Sequence, residues 1–279
     1  MIWCSAAVPA AAKALSHARM QCTFAIAIPL QDMCGIFTIK NAGALKKAVM
    51  PGLIHKVRIW DRLAADRVDQ FISNSDFIAQ RIKKYYRRDA ITIYPPVHIN
   101  DYPLVEQPDD YYLVVSRFVY YKRIDLAIEA CNRLGKRLVI IGGGDEEKRL
   151  RAMAGPTIEF AGRVDDEAMM QYYVRAKAFL FPGEEDFGIT PVEAQSAGCP
   201  VLAYGRGGAL ETVLGGKTGL FFYEQTGESL AACIEQFERE GVGCSRSEIR
   251  EHSLSFGEER FRKEIEQECR GQLSRETGF

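Results

Sequence analysis

From residue 111 to residue 222 the chain alternates short apolar segments with amphipathic ones, joined by short loops. Tyr111–Ser116 (YYLVVS), Arg137–Ile141 (RLVII), Ile158–Phe160, Lys177–Phe181, Pro200–Ala203 and Gly219–Phe222 read as strands. Lys122–Leu134, Asp145–Met153, Asp165–Arg175 and Pro191–Ala197 read as helices, with Glu228–Glu240 and Glu258–Gln267 as late ones. Alternation of this kind predicts an α/β fold with a parallel sheet covered on both faces. In such a fold ligands bind at the carboxyl ends of the strands. Arg117, Gly162–Val164 and Glu185–Gly188 all fall at those ends.

The segment Glu185–Gly198 (EDFGITPVEAQSAG) carries the most chemistry. It joins an apolar strand, a glycine turn and a helix start. The first backbone N–H groups of a helix lack intrahelical partners, so such a turn is a ready anion site. Glu185 and Glu193 flank it and cannot bind an anion, but they suit hydroxyl groups. The combination points to a ligand carrying both phosphate and sugar. Arg117 and Lys122 flank the start of the helix after the first strand. Arg offers a planar fork to phosphate and Lys a mobile point charge. Taken alone they read as solvated loop charges; beside the Glu185–Glu193 turn they read as part of a diphosphate site.

Other signatures are weak or missing. Gly142 and Gly144 give G-x-G, but Glu147 stands at the third glycine position of a dinucleotide fingerprint. A tight strand-to-helix turn accounts for these glycines better, which disfavours an oxidoreductase. There is no P-loop, no H-E-x-x-H, no G-x-S-x-G and no D-x-D pair, so no metal and no resident cofactor is expected. His17 and His55 stand alone. Asn74-Ser75 reads as a helix cap.

A formal net charge of −1 offers no basic field for nucleic acid. The eight cysteines show no C-x-x-C spacing, which argues against zinc or a disulfide framework and for reduced thiols in the cytoplasm. No run is long enough to span a membrane. A basic face around Lys46, Lys47, Lys56 and Arg58 is the place for contact with the cytoplasmic face of an inner membrane, although a solvated helix face accounts for it better.

The pieces SRFVYYKRIDLAIEA, IIGGGDEEKRL, EFAGRVDDEAMMQYYVRAKAFLFPGEEDFGITPVEAQSAGCPVLAYGRGGALETV and KTGLFF, in that order over about residues 110–225, resemble the retaining glycosyltransferases of family 4, with the GT-B fold. HKVRIWDRLAADRVDQFISNS with IYPPV resembles the end of that family's N-terminal domain and leans toward bacterial surface-polysaccharide mannosyltransferases. The resemblance implies one complete Rossmann-like donor domain (111–250) and a partial N-terminal Rossmann-like domain on the acceptor side (45–100). A linker (101–110) joins them, and a C-terminal helix (251–279) crosses back to the first domain.

It also implies roles. Arg117 and Lys122 match the pair that grips the donor diphosphate. Glu185 matches the residue that contacts the transferred sugar near the reaction centre, so these three are the catalytic set. Backbone N–H groups of Phe187, Gly188 and Ile189 face sugar and phosphate, Glu193 binds the ribose, and Arg163 and Val164 hold the base. The implied substrates are a nucleotide sugar, with GDP-mannose as the family-level lean, and a glycan or lipid-linked acceptor. A catalytically inactive fragment that binds only the nucleotide sugar is the alternative.

Residues 1–44 do not resemble the family, and the resemblance implies that about the first hundred residues of its N-terminal domain have no counterpart in this sequence. Reading Ala25–Ile39 from each codon's third base permits a His-Thr-Pro sequence like that family's acceptor-side motif. The expectation is a frame error near codon 40. It is tested in the coding DNA: a single-base indel there should restore a longer frame, and its absence ends the idea.

Overall fold

The computed structural model describes residues 24–26, 44–99 and 103–277. The chain divides into two compact units, one of residues up to Tyr94 and from Phe261 onward, the other Pro95–Arg260. Among the described residues no helix is long and apolar enough to cross a membrane. The proposed frame error lies almost entirely outside the described residues.

In the first unit, strands β1 (Phe24–Ile26), β2 (Gln70–Ser73) and β3 (Ala90–Thr92) form a parallel sheet in sequence order. Helix α1 (Ala44–Ala65) precedes β2. Helix α2 (Asp76–Tyr86) starts at Ser75, whose Oγ accepts from the Ile78 N–H at 3.2 Å, as the sequence suggested. Ala65, Val68, Phe71, Ile78, Ile82 and Tyr86 form its core. Strand β3 stops at Thr92, short of Pro95 and Pro96. Proline lacks the N–H a ladder needs.

The second unit is a six-stranded parallel sheet. Its strands are β4 (Tyr112–Arg117), β5 (Leu138–Gly143), β6 (Ile158–Gly162), β7 (Ala178–Phe181), β8 (Val201–Tyr204) and β9 (Gly219–Phe222). Their order is β6-β5-β4-β7-β8-β9, and every neighbouring pair is parallel. The chain first builds outward from β4 through β5 to β6. It then returns to the other side of β4 and builds outward through β7, β8 and β9. This is the doubly wound α/β arrangement, with its reversal between β4 and β7.

Side chains alternate between two buried layers. Tyr112, Val114, Leu138, Ile140, Leu180 and Leu202 face one, under α3 (Ile124–Leu134) and α8 (Gly227–Glu240). Leu113, Val139, Ile141, Phe179, Phe181 and Val201 face the other, under α5 (Asp166–Arg175) and α6 (Ile189–Ser196). The remaining helices are α4 (Glu147–Met153), α7 (Ala209–Thr212), α9 (Arg246–Ser253) and α10 (Glu258–Thr277).

Two local outcomes differ from the sequence reading. The expected helix over Lys122–Leu134 begins only at Ile124, because Arg123 is left-handed (φ 52°) and separates it from a 3₁₀ turn, Tyr120–Lys122. Lys122 therefore sits on a turn, not on a helix. Helix α9 was not anticipated. Its capping box, Ser245 with Glu248, is visible in the sequence.

At the amino ends of the strands, Glu238 of α8 accepts from the Tyr112 hydroxyl at 2.5 Å and pairs with Lys177 at 2.8 Å and Lys136 at 3.2 Å. Burial alone would raise its pKa; hydrogen bonds from Lys177, Tyr112 and Lys136 outweigh that and hold the carboxyl down at about 2. A depressed carboxyl contributes stability that is full above its unfolded value and lost as pH falls through the folded one. Glu238→Gln should lower unfolding stability by about 1–3 kcal/mol at pH 7. The difference from wild type should close as pH falls from 4.5 toward 2. Urea unfolding across that range checks it, and a constant difference would contradict the assignment.

Candidate functional site

The reversal between β4 and β7 brings the β4–α3 and β7–α6 loops side by side at the carboxyl ends of the strands. Arg117 ends β4, is exposed, and makes no ion pair among the described residues. Lys122 ends the 3₁₀ turn. Its Nζ pairs with Glu185 Oε1 from the β7–α6 loop, and lies 5.6 Å from the Tyr121 ring centre. Two residues that the sequence placed 63 positions apart at separate strand ends thus close on each other across the switch point.

Backbone packing fixes this meeting. A Cβ at Gly183 would lie 3.1 Å from Lys122 Cα and 3.2 Å from the carbonyl oxygens of Lys122 and Tyr121, so the Lys122 turn rests on the backbone of Gly183. On the other side, the Gly208 N–H donates to the Glu185 carbonyl at 2.8 Å. A Cβ at Gly208 would lie 2.3 Å from Phe187 Cα, so only glycine lets the β8–α7 loop close on the Glu185 segment. Gln225, after β9, joins both sides: it accepts from Arg123 Nη1 at 3.4 Å and donates to the Pro182 carbonyl at 3.1 Å. Sequence reasoning did not single out Gly183, Gly208 or Gln225. The run Gly205-Arg206-Gly207-Gly208 just after a strand was the available signal.

Gly188 caps α6 at φ 91°, a left-handed conformation that favours glycine. The first N–H groups of α6, which lack intrahelical acceptors, come just after Gly188, three residues beyond Glu185 in the chain. Phe187 is buried and packs edge-on against Phe256 at 5.8 Å between ring centres. Only its backbone is available to a ligand. The Ile189 side chain is exposed. Arg163 follows β6 and is exposed; its Nε lies 3.9 Å from where a Gly143 Cβ would be. Val164 is partly buried and packs against the core layer beneath α5 and α6. The glycines at the end of β5 serve close packing: a Cβ at Gly142 would lie 1.9 Å from the Ser116 carbonyl oxygen. This supports the tight-turn reading over a dinucleotide fingerprint. Among the described residues no group of three or more His, Cys, Asp or Glu side chains is arranged to hold a metal.

Glu193 lies one turn into α6 and is half-buried. Its Oε2 accepts from the Tyr173 hydroxyl at 3.0 Å. Burial pushes its carboxyl above the ordinary value of 4.5, and nearby Asp166 adds to this; the Tyr173 hydrogen bond and His98 oppose it. Because the folded value is raised, the associated stability is full below the unfolded value and lost as pH rises through the folded one. An ionised Glu193 therefore lowers stability at neutral pH. Glu193→Gln keeps the acceptor for Tyr173 and removes the charge. At pH 7 it should unfold at higher denaturant than wild type, and near pH 4 the two should coincide. Lower stability of the variant at pH 7 would contradict this reading of the site.

A family model described as "Glycosyl transferases group 1" matches residues 101–254. Glycogen synthase of Xanthomonas campestris pv. campestris (strain 8004) is 26% identical over 73% of this chain and 42% of its own length. Human alpha-1,3/1,6-mannosyltransferase ALG2 is 28% identical over 62% of this chain and 50% of its own. The chain thus spans half or less of the length of these relatives. Sucrose-phosphate synthase from Thermosynechococcus elongatus superposes with a TM-score of 0.74 at 19% identity, over 90% of this chain and 67% of that one. The lipopolysaccharide outer core galactosyltransferase WaaB, apo form, gives 0.65 at 19%, over 74% and 62%. At these identities the solved structures speak for the fold, which is that of the GT-B glycosyltransferases, as the sequence resemblance implied.

Proposed function

The chain belongs to the group 1 glycosyl transferases, and on that premise we propose that its second unit is a donor site for a nucleoside diphosphate sugar. The observation that carries this is the Lys122–Glu185 pair at the β4/β7 switch point. It sets a cation for phosphate and a carboxylate for sugar hydroxyls side by side. Arg117 stands at the end of the neighbouring strand, and the N–H groups of α6 open beside them.

The reaction is transfer of a hexose, with mannose from GDP-mannose as the lean, to a glycan or lipid-linked acceptor with retention of configuration. The bond from the anomeric carbon to the diphosphate oxygen breaks, and a bond to the acceptor hydroxyl oxygen forms on the same face of the sugar. The acceptor proton passes to the departing diphosphate. Negative charge accumulates on that leaving group, so Arg117, Lys122 and the helix N-terminus stabilise the transition state more than a general base would. Glu185 holds the sugar through its hydroxyls. Glu193, fixed by Tyr173, accepts from the ribose hydroxyls, and Arg163 and Val164 flank the base. The site acts in the cytoplasm, with the basic sequence around Lys46, Lys47, Lys56 and Arg58 as a place for contact with the inner membrane.

A second reading is a chain that binds nucleotide sugar without transferring it. Calorimetric titration with UDP- and GDP-sugars, followed by an activity assay with acceptor, separates the two: binding without turnover supports the second. Arg117→Ala and Lys122→Ala should each weaken donor binding about 10- to 100-fold, the usual worth of a charge-assisted phosphate contact. Donor binding unchanged in both variants would contradict the site.

A further inference from the structure

We propose that Glu185 is the resident counter-anion of Lys122, and that it makes the site prefer an intact nucleotide sugar over a bare nucleoside diphosphate. This inference rests on the donor-site reading above. The two side chains are in contact and retain only 19% and 20% of their exposure, so the pair is better shielded than a surface ion pair. Its geometry is built by the backbone. The Lys122 turn is seated on Gly183, and the Glu185 carbonyl accepts from Gly208. The two expected phosphate cations are therefore unequal. Arg117 makes no ion pair among the described residues, whereas Lys122 is engaged.

The consequence is a competition inside the site. A bare diphosphate meets Arg117 freely but gains Lys122 only by parting it from Glu185. That strands a partly buried carboxylate beside new negative charge. An intact nucleotide sugar takes Lys122 with its phosphates and offers sugar hydroxyls that donate to Glu185, so the displaced carboxylate is satisfied. Once the sugar has been transferred, Glu185 loses those donors and draws Lys122 back. The same contact that accommodates the donor thus loosens the hold on the diphosphate product.

The test is a double-mutant cycle read by titration of UDP and GDP into the full chain. Glu185→Gln should bind the better of these two nucleotides about three- to tenfold more tightly than wild type, the worth of a shielded ion pair. In a Lys122→Ala background the same substitution should change affinity less than about twofold. Glu185→Asp keeps the charge but withdraws it by one methylene. It should give a smaller gain, and it stands in if the Gln variant does not fold. Equal or weaker binding in Glu185→Gln, or the same gain without Lys122, overturns the proposal while leaving the donor site intact. If no form of the protein binds UDP or GDP, the donor-site reading fails and this inference with it.

Discussion

Six parallel strands buried on both faces leave a ligand only the loops at their carboxyl ends, and the reversal of strand order between β4 and β7 decides which loops meet there. Everything at the candidate site follows from that reversal. The helices that follow β4 and β7 lie on opposite faces of the sheet, and the loops that lead into them meet at the switch point, where such folds bind ligands. Lys122 comes from one wall and Glu185 from the other. The glycines that line the meeting, Gly183 and Gly208, are where one backbone rests on another with no room for a side chain.

Electrostatics divide along the strand axis. At the amino ends, Glu238 is satisfied by Tyr112, Lys136 and Lys177 and holds the sheet to α8. At the carboxyl ends the charges are less settled. Arg117 and Arg163 make no ion pair among the described residues, and burial disfavours the ionised form of Glu193. Binding sites are where a fold tolerates such groups, because the ligand supplies the missing partners. Retaining an unfavourable carboxylate at Glu193 makes physical sense if ribose hydroxyls donate to it.

Much of this was legible in the sequence. Strands such as Tyr111–Ser116 and Arg137–Ile141 are continuous apolar runs, which two-sided burial demands, and the structure moves their ends by only one or two residues. The turn that carries Glu185, Gly188 and Glu193 was legible because a strand, a glycine turn and a helix in succession admit few arrangements. The turn bearing Lys122 was not, since a left-handed Arg123 carries no local signal. Nor was the pairing of Lys122 with Glu185: it depends on strand order, and strand order is a tertiary property. Helix α9 was missed although its Ser245–Glu248 capping box was in view, because its sequence is strongly polar and shows little apolar periodicity. Val164 was given to the base by the resemblance alone, and its side chain is partly buried against the core layer.

The most direct measurement of the central claim is a crystal structure of the full chain with a nucleotide sugar bound. The diphosphate should lie at the switch point between β4 and β7, within hydrogen-bond reach of Arg117 and of Lys122 released from Glu185. The sugar hydroxyls should lie on Glu185. A nucleotide sugar bound elsewhere, or bound at that switch point with the Lys122–Glu185 pair intact, would contradict the claim.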